Sequence, residues 1–239
     1  MPAGALERAV ELLAALGDRP RDQTVAQLAG AAGMPTSTAY RLLGELEAHG
    51  LVARGADSTV ALGARLVALG RSAEQGLRER LVAPAAPVMS QLCAAAGETA
   101  ILTAPCALEA LVLHVVETDA HPVRLSYALF RRGPLHLGAS GKVLAAYLEP
   151  ADRRRLIDAV GAEALDGQLA QIRASGFAFT DSELDPGAAA VAAPILDRRG
   201  RLVAGLSVAG PAQRVIEQRP ALAHAVLAAA ERIARTLRP

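Results

Sequence analysis

The chain has 239 residues, 52% of them hydrophobic and 21% charged, and a formal net charge of +1; this is enough chain for two domains with buried cores, and the composition is that of a soluble globular protein. No apolar run reaches the ~18 to 20 residues of a membrane span, and the N-terminus lacks a basic segment followed by an apolar one, so a cytoplasmic location and no membrane partner are expected. Two cysteines, Cys93 and Cys106, exclude a disulfide framework, and the near-neutral charge is weak for a protein that binds nucleic acid by bulk attraction.

In chain order, Leu6, Ala9, Val10 and Leu13 recur at helical spacing and predict a first amphipathic helix. Val25, Leu28, Ala29 and Ala32 repeat the spacing, as do Ala39, Leu42, Leu43 and Leu46. Between these two stripes, Ala32-Gly33-Met34-Pro35 stops one helix and starts the next, because Gly33 tolerates positive φ and Pro35 suits a first helical turn. The stretch Thr24 to Gly50 therefore reads as a helix-turn-helix. With the apolar stripe turned inward, Thr36, Ser37, Thr38, Tyr40 and Arg41 are left outside, where hydroxyls, a phenol and a guanidinium reach phosphates and base edges. Leu51 to Arg54 and Thr59 to Leu62 flank Gly55-Ala56-Asp57-Ser58 as strand, turn and strand. Three helices and a hairpin make a winged helix-turn-helix, and Arg54 joins the expected contacts to double-stranded DNA.

Residues 1–72 carry seven arginines and seven acids, which argues against strong phosphate attraction. Phosphate contacts from hydroxyls and helix N-termini need no side-chain charge, however. Feeble single domains gain affinity when paired on one assembly, so the reading implies an oligomer.

Gly63 to Gly70 reads as helix and Ser72 to Gly76 as a small, polar linker. Pro84 and Pro87 are expected to mark a helix start, since each costs about 3 kcal/mol in a helix interior. From Thr99 the pattern turns to β, with Glu98 to Thr103 and Ala110 to Val116 as a hairpin around Pro105-Cys106-Ala107, and Val123 to Tyr127 as a third strand. His114, Glu117, Asp119 and His121 suggest a metal set, but His114 and Glu117 point to opposite faces of a strand, so no metal is expected.

Gly133 to Lys142 is a small-residue stretch feeding a helix from Val143 to Leu148. Such a helix start presents free N–H groups and attracts carboxylate or phosphate. It is no P-loop, because His136 stands at the first glycine and Val143 at the required Ser or Thr, and it lacks the G-x-S-x-G of a nucleophile elbow. Two readings stand: an anion pocket, or a helix merely capped by Ser140. Helices over Asp152 to Asp158 and Glu163 to Ser175 and a strand over Gly176 to Thr180 follow, then a polar loop, Asp181 to Gly187. Ala188 to Leu196 and Arg201 to Ala209 form the clearest hairpin around Asp197 to Gly200. Its alternation predicts one core face, and Pro194 predicts an edge or bulge. Leu222, Val226, Ala229 and Ile233 stripe a last helix from Pro220.

These pieces, in this order, resemble the IclR family of bacterial transcriptional regulators. The residues that carry the resemblance are Ala5 to Ala9 with Leu12-Leu13, Leu28-Ala29 through Ser37-Thr38 to Arg41-Leu42-Leu43, Gly97-Glu98-Thr99, Gly133 to Lys142, and Ala192-Ala193-Pro194-Ile195 through Ser207 to Pro211. The resemblance implies an α+β chain: a winged helix-turn-helix DNA-binding domain over 1–62, a linker helix over 63–78, and a GAF-like α/β effector-binding domain over 79–239 with a mainly antiparallel sheet. It implies a homodimer or dimer of dimers, no cofactor, and a small-molecule effector, often a carboxylate, in a pocket over the sheet closed by the Gly138 to Lys142 loop. Carried over by position, the backbone at Ala139, Ser140 and Gly141 holds the carboxylate, Asp181 and Ser207 bond the polar end, and Ala190 and Ala209 shape the walls. This chain departs from the pattern by having Ala190 and Ala209 where some relatives have Cys or Ser, which implies a roomier, less polar pocket. Its wing tip also lacks a Lys or Arg.

The expected function is a ligand-responsive, sequence-specific regulator, a repressor rather than an activator. Its rivals are a metabolite- or partner-binding protein that has lost useful DNA affinity, and an enzyme built on the 138–142 loop. No nucleophile-base pair, metal set or cofactor fingerprint stands at workable spacing for the enzyme.

Overall fold

The computed structural model describes residues 4–18, 23–55 and 58–237, and the chain divides into two units, Met1–Gly76 and Leu77–Pro239. In the first unit, α1 (Ala5–Gly17), α2 (Val25–Ala31) and α3 (Thr36–Ala48) pack around Leu12, Leu28, Leu42 and Leu43. Thr24 starts α2 through a reciprocal capping box with Gln27, which satisfies two N–H groups that a helix start leaves open. Gly33 takes φ +60° in the turn before α3. Strands β1 (Gln23–Thr24), β2 (Val52–Arg54) and β3 (Thr59–Leu62) form an antiparallel sheet in the order β1-β3-β2. At the wing tip, Ala56 and Asp57 lie outside the described residues.

α1 is rotated from the expected stripe. Leu12 and Leu16 enter the core while Leu6 and Val10 are 79% and 55% exposed. Ala9, Leu12, Leu13 and Leu16 offer a second row at helical spacing, and the core takes that one. The small polar stretch Ser72 to Gly76 is helical too, within α4 (Ala64–Leu77), which buries none of its residues.

In the second unit, Arg78–Val82 forms a π-helical turn that leads into α5 (Ala83–Ala96). Pro84 thus stands at the start of α5, as expected, whereas Pro87 lies inside the helix. The wider turn, in which the N–H of Ala83 bonds the carbonyl of Arg78, sits where a regular turn would press the Pro84 ring against the carbonyl four residues back.

Six strands follow: β4 (Thr99–Cys106), β5 (Glu109–Val116), β6 (Arg132–Pro134), β7 (Ala178–Asp181), β8 (Ala188–Leu196) and β9 (Leu202–Pro211). They form an antiparallel sheet in the order β6-β5-β4-β9-β8-β7. The helices are α6 (Gly138–Ala146), α7 (Pro150–Val160), α8 (Ala164–Ser175), α9 (Ala212–Glu217) and α10 (Arg219–Thr236). Alternate residues Val191, Ala193 and Ile195 of β8 and Ala204, Leu206 and Val208 of β9 pack against α5 and α10. The opposite face is covered as well, with Ala192 packed under α6, α7 and α8. Both faces are thus core, where the alternation had predicted one, because small residues on the second face admit α6.

Pro194 sits past the end of the β7 ladder, which stops at Ala192, and beside a register shift at Ile195/Leu196, so its missing N–H costs no sheet bond on that side. The segment Val123 to Tyr127 is not a strand. It is held by side chains instead: Thr99 Oγ1 donates to the Leu125 carbonyl at 2.7 Å, and Arg214 Nη2 donates to that of Val123 at 2.9 Å. The edge beyond β5 is taken by β6, cut from the stretch expected as loop.

Candidate nucleic-acid interface and ligand pocket

On α3 the inward positions Ala39, Leu42, Leu43 and Leu46 are buried, and Thr36, Ser37, Tyr40 and Arg41 are exposed, with Thr38 half-buried. Pro35 precedes the helix and no side chain caps it, so the three hydroxyls at its start are not spent on capping. Arg54, at the end of β2, lies with its guanidinium 5.8 Å from the centre of the Tyr40 ring. The face thus joins the helix start to the base of the wing.

Both arginines are already engaged. Arg41 Nη1 lies 2.6 Å from Glu45, and Arg54 Nε lies 2.8 Å from Glu47. These are exposed pairs, worth little in water, and they lower the positive potential that the face offers to phosphate.

In the second unit, a cavity opens over the sheet between α6, the 182–187 loop and the 127–134 segment, with about 680 Å³ of atom-free space including its mouth. Its walls are largely apolar, with Ile101, Val112, Leu137, Leu184, Ala190 and Ala209 among them. α6 begins at Gly138, five residues before the expected helix start. Gly138 takes φ +70°, and a Cβ on Gly141 would stand 2.4 Å from the Pro134 carbonyl, so only glycine lets the first turn lie against β6.

The sequence-predicted residues separate here. Ala139, Ser140, Gly141, Ala190 and Ala209 line the cavity. Ser140 does not cap the helix but lies inside its first turn, where its hydroxyl donates to Ser207 Oγ at 2.9 Å, so the fully buried Ser207 sits behind Ser140 rather than on the lining. Asp181 is exposed and off the lining, whereas Thr180 is on it. Neighbours on a strand face opposite ways, so placing Thr180 inward sends Asp181 out.

The carboxylates that reach the cavity are Glu183 and Asp185, both missed from sequence. Ser182 takes φ +55°, a conformation that re-aims the chain after β7 and that a serine does not advertise. Glu183 lies 2.7 Å from Lys142 Nζ and accepts the Gly138 N–H at 3.3 Å. It thus occupies the helix start at which a ligand carboxylate was expected. Asp185 accepts the Tyr127 hydroxyl at 3.1 Å on one oxygen and lies 3.4 Å from Arg131 Nη2 on the other. Burial, and then Asp185, push the Tyr127 phenol up to about 12, so it stays a donor at any ordinary pH.

Among the described residues no group of three or more His, Cys, Asp or Glu is placed to hold a metal ion, and no helix is long and apolar enough to cross a membrane.

Comparison with known proteins adds the following. A family model described as the IclR helix-turn-helix domain matches residues 5–56, and one described as the bacterial transcriptional regulator IclR C-terminal domain matches residues 77–235. The transcriptional regulator BhcR of Paracoccus denitrificans is 32% identical, over 98% of this chain and 88% of its own length. A solved IclR homologue from Microbacterium hydrocarbonoxydans, in complex with 4-hydroxybenzoate, is 26% identical with a TM-score of 0.67, covering 98% of this chain and 99% of that one. A regulator structure from Brucella abortus shares the fold with a TM-score of 0.83 at 19% identity, over 99% and 93% of the two chains.

Proposed function

The chain belongs to the IclR family of bacterial transcriptional regulators, and from that premise we propose that it is a ligand-responsive, sequence-specific DNA-binding repressor that senses a small organic acid. The observation that carries the DNA reading is the outward face of α3. There Thr36, Ser37, Thr38, Tyr40 and Arg41 stand clear of the buried stripe, and Arg54 adjoins them from the wing. In this reading the face enters a major groove, hydroxyls and backbone position the helix on phosphates, and Arg41 reads a base edge.

The ligand reading rests on the apolar cavity over the sheet, and it is supported by the 4-hydroxybenzoate bound to the Microbacterium homologue. Ala139, Ser140 and Gly141 border the ligand in this reading, and Ala190 and Ala209 leave it room. The protein works as a dimer or dimer of dimers in the cytoplasm. In support, Leu6 and Val10 of α1 and Val67 and Leu69 of α4 are exposed large apolar side chains of the kind that association covers.

A second reading, in which the protein senses a metabolite without useful DNA affinity, is favoured by the pairing of Arg41 with Glu45 and Arg54 with Glu47. One experiment separates the two: titration, by fluorescence anisotropy, of a labelled duplex from the DNA upstream of the protein's own gene, with and without competitor, at two salt concentrations. The regulator reading predicts binding that survives competitor, with a shallow salt slope. Binding equal to that of random DNA, there and at neighbouring promoters, would favour the second reading.

A further inference from the structure

The cavity contains two internal carboxylates, and they are held very differently. Glu183 meets Lys142 with both oxygens, 2.7 Å each, and the lysine side chain is only 10% exposed. This inner anion position is filled by the fold itself. Asp185 faces Arg131 at 3.4 Å with both side chains more than a third exposed, an ion pair of the weak surface kind.

The groups that hold Asp185 are nonetheless well fixed. Phe130 and Arg131 exchange backbone bonds with Val112 on the edge of β5: the Phe130 N–H bonds the Val112 carbonyl at 2.8 Å, and the Val112 N–H bonds the Arg131 carbonyl at 3.0 Å. Phe130 itself takes φ +62°, a strained position for a bulky residue, and it sets the direction of the residue that follows. The Arg131 guanidinium lies 5.1 Å from the centre of the Tyr127 ring, a stacking that orients its planar fork. One carboxylate oxygen is met by a phenol donor and the other by a guanidinium. This is a recognition pair for a carboxylate, displayed with Asp185 as its occupant.

We propose that Arg131 and Tyr127 take the carboxylate of the ligand, by exchange for Asp185 at the cavity mouth, while Glu183 keeps the helix start of α6 closed to it. The proposal rests on the effector reading and names its ligand class: a monocarboxylate whose apolar aliphatic or aromatic body lies along Ile101, Val112 and Leu137. Exchange preserves the charge count, since one carboxylate replaces another. It also frees the 182–187 loop at Asp185 while Lys142 still holds it at Glu183, so occupancy is converted into a change in that loop.

The test is calorimetric titration of the full chain with benzoate, phenylacetate and hexanoate, each against its amide. The proposal predicts that at least one acid binds about 10-fold or more tighter than its amide, that Arg131→Gln loses about 10-fold and Tyr127→Phe several-fold, and that Asp185→Asn gains several-fold. Should Arg131→Gln fail to fold by circular dichroism, Arg131→Lys serves, keeping the charge but losing the fork and most of the gain over the amide. Acid binding that ignores Arg131 and tightens in Glu183→Gln would overturn the proposal and put the carboxylate at α6. Absence of binding by all three acids at 10 mM, taken as about the weakest level of interest, would overturn it as well. Operator affinity measured on the same variants separates the outcomes: its loss throughout, with acid binding as predicted, removes the regulator reading and leaves this one.

Discussion

Lys142 Nζ lies 2.7 Å from each carboxylate oxygen of Glu183, and Lys142 is the sole lysine of the chain. The pair ties the first turn of α6 to the 182–187 loop across the cavity. Lys142→Met leaves a carboxylate with only the Gly138 N–H in partly dry surroundings. A fully buried broken pair costs ~3 to 5 kcal/mol, and Glu183 is about a third exposed, so a loss of about 1 to 2 kcal/mol is expected. Thermal denaturation should show it as a lower midpoint, and the double variant Lys142→Met/Glu183→Gln should recover most of it.

Gly141 and Gly167 both lie in helices, yet alanine should act oppositely at the two. At Gly141 the added methyl meets the carbonyls of Pro134 and Leu135 at 2.4 and 3.1 Å, whereas at Gly167 nothing lies within 4 Å. Gly141→Ala is expected to destabilise by about 1 to 3 kcal/mol and to weaken ligand binding, because α6 must move off β6. Gly167→Ala should be neutral or stabilise by up to about 1 kcal/mol. Denaturant titrations of the two variants check the contrast, and equal effects would remove the close-approach argument.

Glu45 and Glu47 hold Arg41 and Arg54 on the face proposed to enter DNA. Removing Glu45 releases Arg41 and one negative charge, so Glu45→Ala should tighten operator binding about 2- to 5-fold and steepen its salt dependence. Arg41→Ala should lose about 1 to 3 kcal/mol of operator affinity if it reads a base, with Thr38→Ala losing less. Acid binding in the second unit should be unchanged in all three. Anisotropy with the operator duplex measures these effects, and an Arg41→Ala variant of parental affinity would remove Arg41 from the interface.

His114 on β5 predicts a pH dependence. Burial, and then the charge of Arg78, hold its imidazole below the ordinary value of 6.5. The folded state therefore favours the neutral ring, and the unfolded chain binds the proton first. The contribution is fully present above about 6.5 and is lost as pH falls through the folded value. Denaturation midpoints from pH 7.5 down to 5 should fall more steeply for the parent than for His114→Gln.

Much of this was legible in the sequence, and the failures share a cause. The stripe of α3, the positive φ of Gly33 in the turn before it and the β8–β9 hairpin depend on local spacing and turn chemistry, which a sequence displays. The rotation of α1 does not, because two apolar rows compete and only the assembled core chooses Leu12 and Leu16 over Leu6 and Val10. Val123 to Tyr127 has strand composition, but its carbonyls are claimed by Thr99 and Arg214 from distant parts of the chain. In the pocket, Ala190 and Ala209 lie where position placed them, whereas Asp181 lost its place to Glu183 and Asp185 because Ser182 adopts positive φ. A carboxylate-rich loop next to a predicted anion site was the available signal that the loop fills the site itself.

The account stands most directly on one measurement: the affinity of the full chain for its operator duplex, by anisotropy, with and without an acid shown by calorimetry to bind. A ligand-responsive regulator predicts that saturating acid shifts the dissociation constant by about 5- to 150-fold, the span of a coupling of about 1 to 3 kcal/mol. The Asp185→Asn variant should reach that shift at lower acid concentration. An acid that binds the cavity and leaves operator affinity unchanged would contradict the account, because the two units would then carry two activities with no coupling between them.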